Sequence, residues 1–366
     1  RMGIYQLLYM DQVPDSATCN EAVKLAKKRG FSRLSGFVNG VLRNISRKKE
    51  TISYPKKDKN FVTYLSVTYS IPEWIIKFFM KTYDDETVEK IIESYLEDKK
   101  TTLCCLMSKG GKDVIRKELE EENVTVEDGE LIENAVKISD YDFLYRLRAF
   151  REGKCYVQDE SSMLCAKLAG AKEGQFVMDL CSAPGGKSLY TADQMKGSGQ
   201  VLSRDLTEYK TDLIEDNIER MGFTNMEAEV FDATILDEEH IEAADVVIAD
   251  VPCSGLGIMG KKNDIKYHIS EDGMKDLVKL QREILTNAVQ YVKHGGTLIY
   301  STCTINPEEN EKNMQWIINN FDYEAVDITE ELPKNLKIET AKDGYIQLLP
   351  GVHSCDGFFI AKLRRK

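Results

Sequence analysis

Histidine is scarce in this chain: four residues in 366, His240, His268, His294 and His353, none within ligand spacing of a cysteine. A Cys/His zinc site is therefore not expected, and no metal is assigned. The nine cysteines are odd in number and include no C-x-x-C pair. Spread over so long a chain they do not make a disulfide scaffold, and they fit a reducing, cytoplasmic compartment. No apolar run approaches the roughly 18 residues that a membrane span requires, and Arg1-Met2-Gly3 leads into no secretory segment. No membrane partner is expected. Internal repeats and low-complexity tracts are also missing, and the chain opens on an Arg inside a helical pattern, so the natural protein is expected to continue upstream.

Positive charge is in short supply as well. The net charge of −12 argues, over the whole chain, against a partner as acidic as nucleic acid. The deficit is uneven, however. Residues 1–60 hold 13 Lys or Arg against 5 Asp or Glu, a net of +8, which leaves −20 on the other 306. Screening confines a surface field to about 8 Å, so a basic end on an acidic body leaves RNA open as a partner.

At roughly 100 to 200 residues per domain the chain is too long for one unit. Residues 1–50 read as helices, with Ile4, Leu7 and Leu8, then Ala22, Leu25 and Ala26, then Phe37, Val41 and Leu42 at helical spacing. A basic linker is placed at 51–71, in continuity with the polar stretch Arg47 to Asn60. Residues 72–150 read as a small α+β domain, with Pro72 opening a helix, a strand at Thr101 to Met107 and a helix at Lys112 to Glu122. From 151 to 366 strand-like runs alternate with helical ones: Gln175 to Leu180, Val201 to Ser203, Ala228 to Phe231, Asp245 to Ala249 and Thr297 to Ser301. Leu277, Leu280, Ile284, Ala288 and Val292 form an apolar stripe on the longest helix. This alternation predicts an α/β, doubly wound, mostly parallel sheet, with Gly357 to Leu363 added as an edge strand.

In such a sheet ligands bind beyond the carboxyl ends of the strands. The first strand is followed by Asp179-Leu180-Cys181-Ser182-Ala183-Pro184-Gly185-Gly186-Lys187-Ser188, a turn whose glycines allow close backbone approach. A P-loop would need glycine where Cys181 stands. A dinucleotide loop would need G-x-G-x-x-G, which is absent, although Asp205 lies where a ribose-binding acid belongs. The third candidate is S-adenosylmethionine, which carries no phosphate and whose hydroxyl and amino groups want acceptors; Asp205 and Asp232, after the second and third strands, supply them. Any one of these acids is explained equally well as a turn acid or a helix cap.

After the fourth strand comes Asp250-Val251-Pro252-Cys253-Ser254-Gly255, and after the fifth Ser301-Thr302-Cys303-Thr304-Ile305-Asn306-Pro307-Glu308-Glu309-Asn310. A lone strand-end cysteine is usually a small buried hydrophobe; two on neighbouring strand ends, one preceded by Asp-x-Pro, point to chemistry. Asn306 and Pro307 are expected to cap and start the next helix. Carbon 5 of cytosine accepts a methyl group only after a thiolate has added to carbon 6, so one cysteine would attack covalently. Lys187 is a candidate for the positive potential that favours the thiolate, Asp250 could hydrogen-bond N3, and a second thiol suits removal of the hydrogen on carbon 5.

These residues resemble the RNA 5-methylcytosine methyltransferases of the Nol/Nop/Sun class. Asp179 to Lys187 is similar to the family's cofactor loop, Asp250 to Gly255 to its Asp-x-Pro-Cys motif, and Ser301 to Thr304 with Pro307 to Asn310 to its Thr-Cys motif. Gln158 to Ser162 and Leu349 to Phe359 resemble flanking motifs. The resemblance implies a Rossmann-like class I methyltransferase domain with a seven-stranded sheet. It makes Cys303 the nucleophile and Cys253 the residue that promotes release. Cofactor contacts fall to Cys181, Ser182, Ala183, Pro184, Gly185, Gly186, Lys187, Asp205, Asp232 and Asp250. Gly3 to Tyr9 and Gly36 to Arg43 resemble the later half of the NusB-like RNA-binding domain of bacterial ribosomal small-subunit methyltransferases of the B type, which implies 16S ribosomal RNA as substrate. Two departures stand out. The family's Leu-Arg-x-Asn strand reads Leu103-Cys104-Cys105-Leu106, without the Arg, and its Arg-Arg-His-Pro-Asp loop reads Gly260-Lys261-Lys262-Asn263-Asp264, so that Lys261 or Lys262 would meet phosphate unless the loop is merely solvated. The rivals are a methyltransferase acting on transfer RNA, a noncatalytic RNA-binding or assembly module and a nicotinamide dehydrogenase. A monomer is expected.

Overall fold

The computed structural model describes every residue from Arg1 to Lys366, in two units, Arg1–Ser70 and Ile71–Lys366. In the first, helices Met2–Tyr9, Asp15–Lys28 and Ser35–Lys48 pack around Leu7, Cys19 and Leu42, as the helical spacing predicts. The stretch 51–71 is not linker throughout. Its second half is the helix Phe61–Tyr69, started by Asn60, whose side chain accepts from the Thr63 N–H at 3.1 Å, and anchored by the fully buried Leu65. So apolar a run lowers its free energy by folding onto its neighbours rather than staying in water.

The second unit opens with helices Glu73–Phe79, directly after Pro72, and Asp85–Ser94. Next come β1 (Thr101–Cys105), β2 (Thr125–Asp128), β3 (Ala135–Ser139) and β4 (Cys155–Val157), an antiparallel sheet in the order β2-β3-β1-β4. Leu103, Cys104, Cys105 and Leu106, which stand in place of the Arg-bearing strand, are all buried. Glu160, itself buried, ties this layer to the next: its carboxylate accepts from the backbone N–H groups of Glu130, Leu131 and Ile132 at 3.1, 2.6 and 2.9 Å.

The main sheet comprises β5 (Phe176–Asp179), β6 (Gln200–Asp205), β7 (Met226–Val230), β8 (Ala244–Asp250), β9 (Val292–Thr302), β10 (Tyr323–Ala325), β11 (Tyr345–Leu348) and β12 (Phe358–Arg365). Seven run in the order β10-β12-β9-β8-β5-β6-β7, and β11 pairs with β12 as an eighth. Strands β9, β8, β5, β6 and β7 are parallel to one another, and β12 is antiparallel to β9. The α/β class and the mostly parallel sheet are as expected. The edge position of the last strand is not: β10 pairs outside β12, Tyr323 opposite Arg365, so β12 is internal. On the long helix, Glu271–Tyr291, the buried face is centred on Met274, Gln281, Ile284, Leu285 and Ala288, with Leu277 and Leu280 half-buried.

The strand order reverses between β5 and β8, which places the crevice for a ligand between their carboxyl ends. Because β12 runs antiparallel to β9, Phe359 lies opposite Thr302, and the Asp356-Gly357-Phe358 segment arrives at that same edge. There the backbone of Gly357 meets that of Gly257. The Gly357 N–H donates to the Gly257 carbonyl at 3.0 Å, and a Cβ on Gly257 would lie 2.1 Å from the Gly357 oxygen. No helix is long and apolar enough to cross a membrane.

Candidate active site

The turn after β5 is fixed by backbone groups on every side. The Ser182 N–H donates to Arg204 O at 2.8 Å, the Gly185 N–H to Ser182 O at 2.7 Å and the Ala183 N–H to Asp205 Oδ2 at 3.0 Å. Asn217 Nδ2 donates to Pro184 O at 3.0 Å. Gly185, at φ +100°, turns the chain into the helix Gly186–Gln194, a conformation that a side chain would strain. The turn thus presents its backbone to the crevice with Asp205 already joined to it.

Lys187, one residue into that helix, crosses the crevice. Its Nζ lies 2.5 Å from Asp250 Oδ2 at the end of β8 and 5.2 Å from the Phe358 ring centroid; Asp250 Oδ1 accepts from Ser301 Oγ at 2.8 Å. Burial would make Lys187 easier to deprotonate, but the Asp250 charge outweighs it and holds the ammonium above its ordinary range. This cation is therefore committed to Asp250 rather than free to face a cysteine, as the sequence reading had it.

Asp179 lies beneath the turn, fully buried, with Oδ2 accepting from Ser188 Oγ at 2.7 Å and Oδ1 without a partner. Burial, abetted by Asp250, outweighs Ser188 and Lys187 and pushes its carboxyl up to about 6. Since the folded pKa exceeds the unfolded one, Asp179 favours folding most strongly below about pH 4, and that contribution fades as pH rises through about 6. Asp179→Asn should remove this dependence. In urea unfolding, the stability of the variant relative to wild type should rise by on the order of 2 kcal/mol between pH 4 and pH 7, and a pH-independent difference would contradict it.

Beyond β8 and β9 the two cysteines meet, Cys253 Sγ lying 3.3 Å from Cys303 Sγ. Of nine free cysteines only these two and Cys181 are partly rather than fully buried. The hydrogen bond with Cys303, followed by burial, holds the Cys253 thiol well above its ordinary range; burial pushes the Cys165 thiol, beneath the site, up to about 12. The loops that bear the pair are laced together. Ser254 Oγ and Thr304 Oγ1 are 2.7 Å apart, Asn310 Oδ1 accepts from Thr302 Oγ1 at 2.6 Å, and Asn310 Nδ2 donates to Thr304 O at 3.0 Å. Glu309, with no exposed surface, accepts from the Ser254 N–H, Gln281 Nε2 and Asn306 Nδ2. The sequence marked Glu309 and Asn310 only by resemblance and Gln281 not at all. A glutamine on the buried face of an amphipathic helix was the available signal.

Asn306 does not start a helix. Its Oδ1 caps a turn at the Glu308 N–H, and the helix runs Glu311–Asn320, because Glu309 is turned inward. Lys261 is not brought to the cysteines. Its Nζ bridges Asp159 Oδ2 at 2.9 Å and Asp356 Oδ2 at 2.6 Å, closing the Gly260 loop onto two flanking motifs, while Lys262 is exposed. Asp232 ends up at the close of β7, where Oδ1 accepts from the Thr234 N–H and hydroxyl and Oδ2 has no protein donor.

The model of the 16S rRNA methyltransferase RsmB/F family matches residues 166–364, more than half of the chain. The chain belongs to that family. Residues 1–47 match the NusB family. Among curated relatives of the RsmB/F family, the probable ribosomal RNA small subunit methyltransferase B of Bacillus subtilis (strain 168) is 37% identical over the whole chain and 82% of its own length. Among solved structures, that of PH0851 superposes with a TM-score of 0.84 at 28% identity, over 99% of this chain and 80% of that one. NSun6 from Pyrococcus horikoshii, solved with SFG, an analogue of S-adenosylmethionine, shares the fold with a TM-score of 0.73 at 20% identity, over 81% and 99% of the two chains. As an RsmB/F member the chain is an S-adenosylmethionine-dependent methyltransferase with RNA as its substrate class, which removes the dehydrogenase and noncatalytic readings. The residues present fit that cofactor. Asp179 Oδ1 and Gln158 Oε1, both buried, have no partner, and Asp232 Oδ2 has no protein donor. These are open acceptors for a ligand rich in hydroxyl and amino donors.

Proposed function

We propose that this chain methylates carbon 5 of a cytidine in 16S ribosomal RNA, with Cys303 as nucleophile and Cys253 as the residue of release. The observation that carries the reading is the 3.3 Å approach of the two thiols at neighbouring strand ends, beside the turn that suits the cofactor. The Cys303 thiolate, its proton lost to solvent, adds to carbon 6 of an unstacked cytosine. The sulfur–carbon bond forms as the electron pair of the 5,6 double bond moves toward carbon 5. Asp250, held by Lys187 and Ser301, faces the N3 edge, and a proton drawn from the Lys187 ammonium passes through it to N3 as negative charge builds on the ring. S-adenosylmethionine, when bound, supplies the methyl group as an electrophile. Once Cys303 is a neutral thioether, Cys253 can shed its proton; its thiolate then takes the hydrogen from carbon 5, the double bond re-forms and Cys303 leaves as thiolate. Cofactor contacts fall to the 181–187 turn with Asp205, Asp232 and Asp250, and Lys262 is left as the loop lysine free to meet phosphate.

Removing Cys253 tests the reading directly. With undermethylated small-subunit RNA and labelled cofactor, Cys253→Ala should transfer one methyl group and then stall, accumulating a protein–RNA complex that survives denaturant. Release should be at least about 100-fold slower than in wild type, as loss of a general base implies. Mapping the label to carbon 5 of a cytidine completes the test. A Cys253→Ala protein that turns over normally, or label on another atom or on transfer RNA alone, would refute it.

A further inference from the structure

Cys253 has no bulky scaffold of its own. It follows Val251-Pro252 and precedes Ser254-Gly255 in an irregular turn between β8 and the next short helical turn, yet release requires its sulfur to stay beside Cys303. The two peptide groups flanking Cys253 are both held, and by the same pair of side chains. Glu309 Oε2 accepts from the Ser254 N–H at 2.9 Å on one side. On the other, Gln281 Nε2 donates to Pro252 O at 3.0 Å and also to Glu309 Oε2 at 2.9 Å. Gln281 and Glu309 are fully buried. Glu309 is fixed in turn by Asn306 Nδ2, at 2.8 Å from Oε1, and its own carbonyl accepts from the Tyr300 hydroxyl. Gln281 Oε1 accepts from Asn313 Nδ2 at 2.9 Å.

No Lys, Arg or His pairs with this buried carboxylate; every partner is a neutral donor. A carboxylate in so dry a place is costly to keep, and a structural role alone would be met more cheaply by an apolar residue. What a carboxylate offers is an oxygen that accepts two donors at once, and both converge on the Cys253 turn.

We propose that Glu309, through Gln281, is a positioning residue for the release step: it clamps the peptide groups on either side of Cys253 so that this thiol stays on the cytosine adduct held by Cys303. The inference rests on the proposed roles of the two cysteines. It assigns the clamp no part in the attack, because Cys303 directly follows β9, whose ladder with β8 and β12 runs up to Ser301 and Thr302, and neither clamp side chain bonds to it.

The test separates adduct formation from adduct resolution. In single-turnover reactions with RNA and labelled cofactor, Glu309→Ala should form the covalent complex within about threefold of the wild-type rate and resolve it at least about 10-fold more slowly. The KM for RNA and cofactor should be unchanged within about twofold, the pattern of a group that acts only in one step. Glu309→Gln keeps an oxygen that can accept from both Ser254 and Gln281, and should restore resolution to within about threefold of wild type. Gln281→Met, which keeps the volume and removes its bonds to Pro252 and Glu309 together with that from Asn313, should slow resolution in the same way, and it decides the matter if Glu309→Ala does not fold. Equal slowing of formation and resolution, or resolution unaffected in Gln281→Met, would overturn the proposal. The underlying reading fails separately: if Cys253→Ala leaves no trapped complex, the cysteine assignment is wrong, whereas a trapped complex in Cys253→Ala with normal resolution in the clamp variants refutes the clamp alone.

Discussion

Cys303→Ala should abolish methyl transfer, by at least about 10⁴-fold in single turnover, and should form no covalent RNA complex. The magnitude follows from the chemistry. Carbon 5 of cytosine is a poor nucleophile until a thiolate has added at carbon 6, so the variant does not merely lose a stabilising contact; it must use a different reaction. A 10⁴-fold loss is about 5.5 kcal/mol of barrier, more than one hydrogen bond supplies. Cys253 cannot substitute: even without its bond to Cys303, burial keeps its thiol raised, and its turn is clamped where it is. The variant should fold and bind S-adenosylmethionine as wild type does, since no cofactor-turn residue contacts Cys303 through a hydrogen bond in the structure. Equilibrium dialysis with labelled cofactor checks that control. Methylation of cytosine at a rate within about 10-fold of wild type would remove Cys303 from the reaction altogether, because ordinary loss of a nucleophile costs far more.

The parts of the site that were legible in the sequence are those that lie just after strands. Asp205 and Asp250 close β6 and β8, Asp232, Cys253 and Cys303 follow β7, β8 and β9 within three residues, and the doubly wound topology brings all such positions to one edge. What the sequence did not show is how distant segments bind each other there. The Lys261 ammonium looked available because its partners, Asp159 and Asp356, lie 102 and 95 residues away. Glu309 looked like the first turn of a helix because its bond to Ser254 spans 55 residues. The same limit governs the fold. β12 was expected at an edge because β10, only three residues long, carries no alternation to announce it, and the Phe61–Tyr69 helix was taken for linker because its apolar character lacks a clear helical stripe. Charge was the least informative bulk property: part of the acidity of the body is Asp205, Asp232 and Asp250, which the proposed function assigns to the site itself.

The Lys187–Asp250 pair makes the second large prediction, in which stability and activity should come apart. Lys187→Met leaves the Asp250 carboxylate, whose side chain is 25% exposed, without its cation. Stranding a fully buried charge costs about 3 to 5 kcal/mol. Asp250 keeps the Ser301 hydroxyl and some contact with water, so the expected loss is smaller, about 2 kcal/mol. Catalysis should fall by about 10² to 10³, because on the proposed mechanism the lysine both holds Asp250 at the N3 edge of cytosine and supplies the proton that passes there. Asp250→Asn in the same background removes the stranded charge, and the double variant should regain most of the lost stability in urea unfolding. It should regain none of the activity, since the pair that on the proposed mechanism delivers a proton to N3 is then absent. The pair is expected to be intact across neutral pH. The lysine is held above its ordinary range, so the stability it brings is present below that range and is lost only as pH rises through its folded value. A double variant that recovers both stability and methyl transfer would show that the pair serves folding alone, and the oriented acid at the ring would have to be another residue.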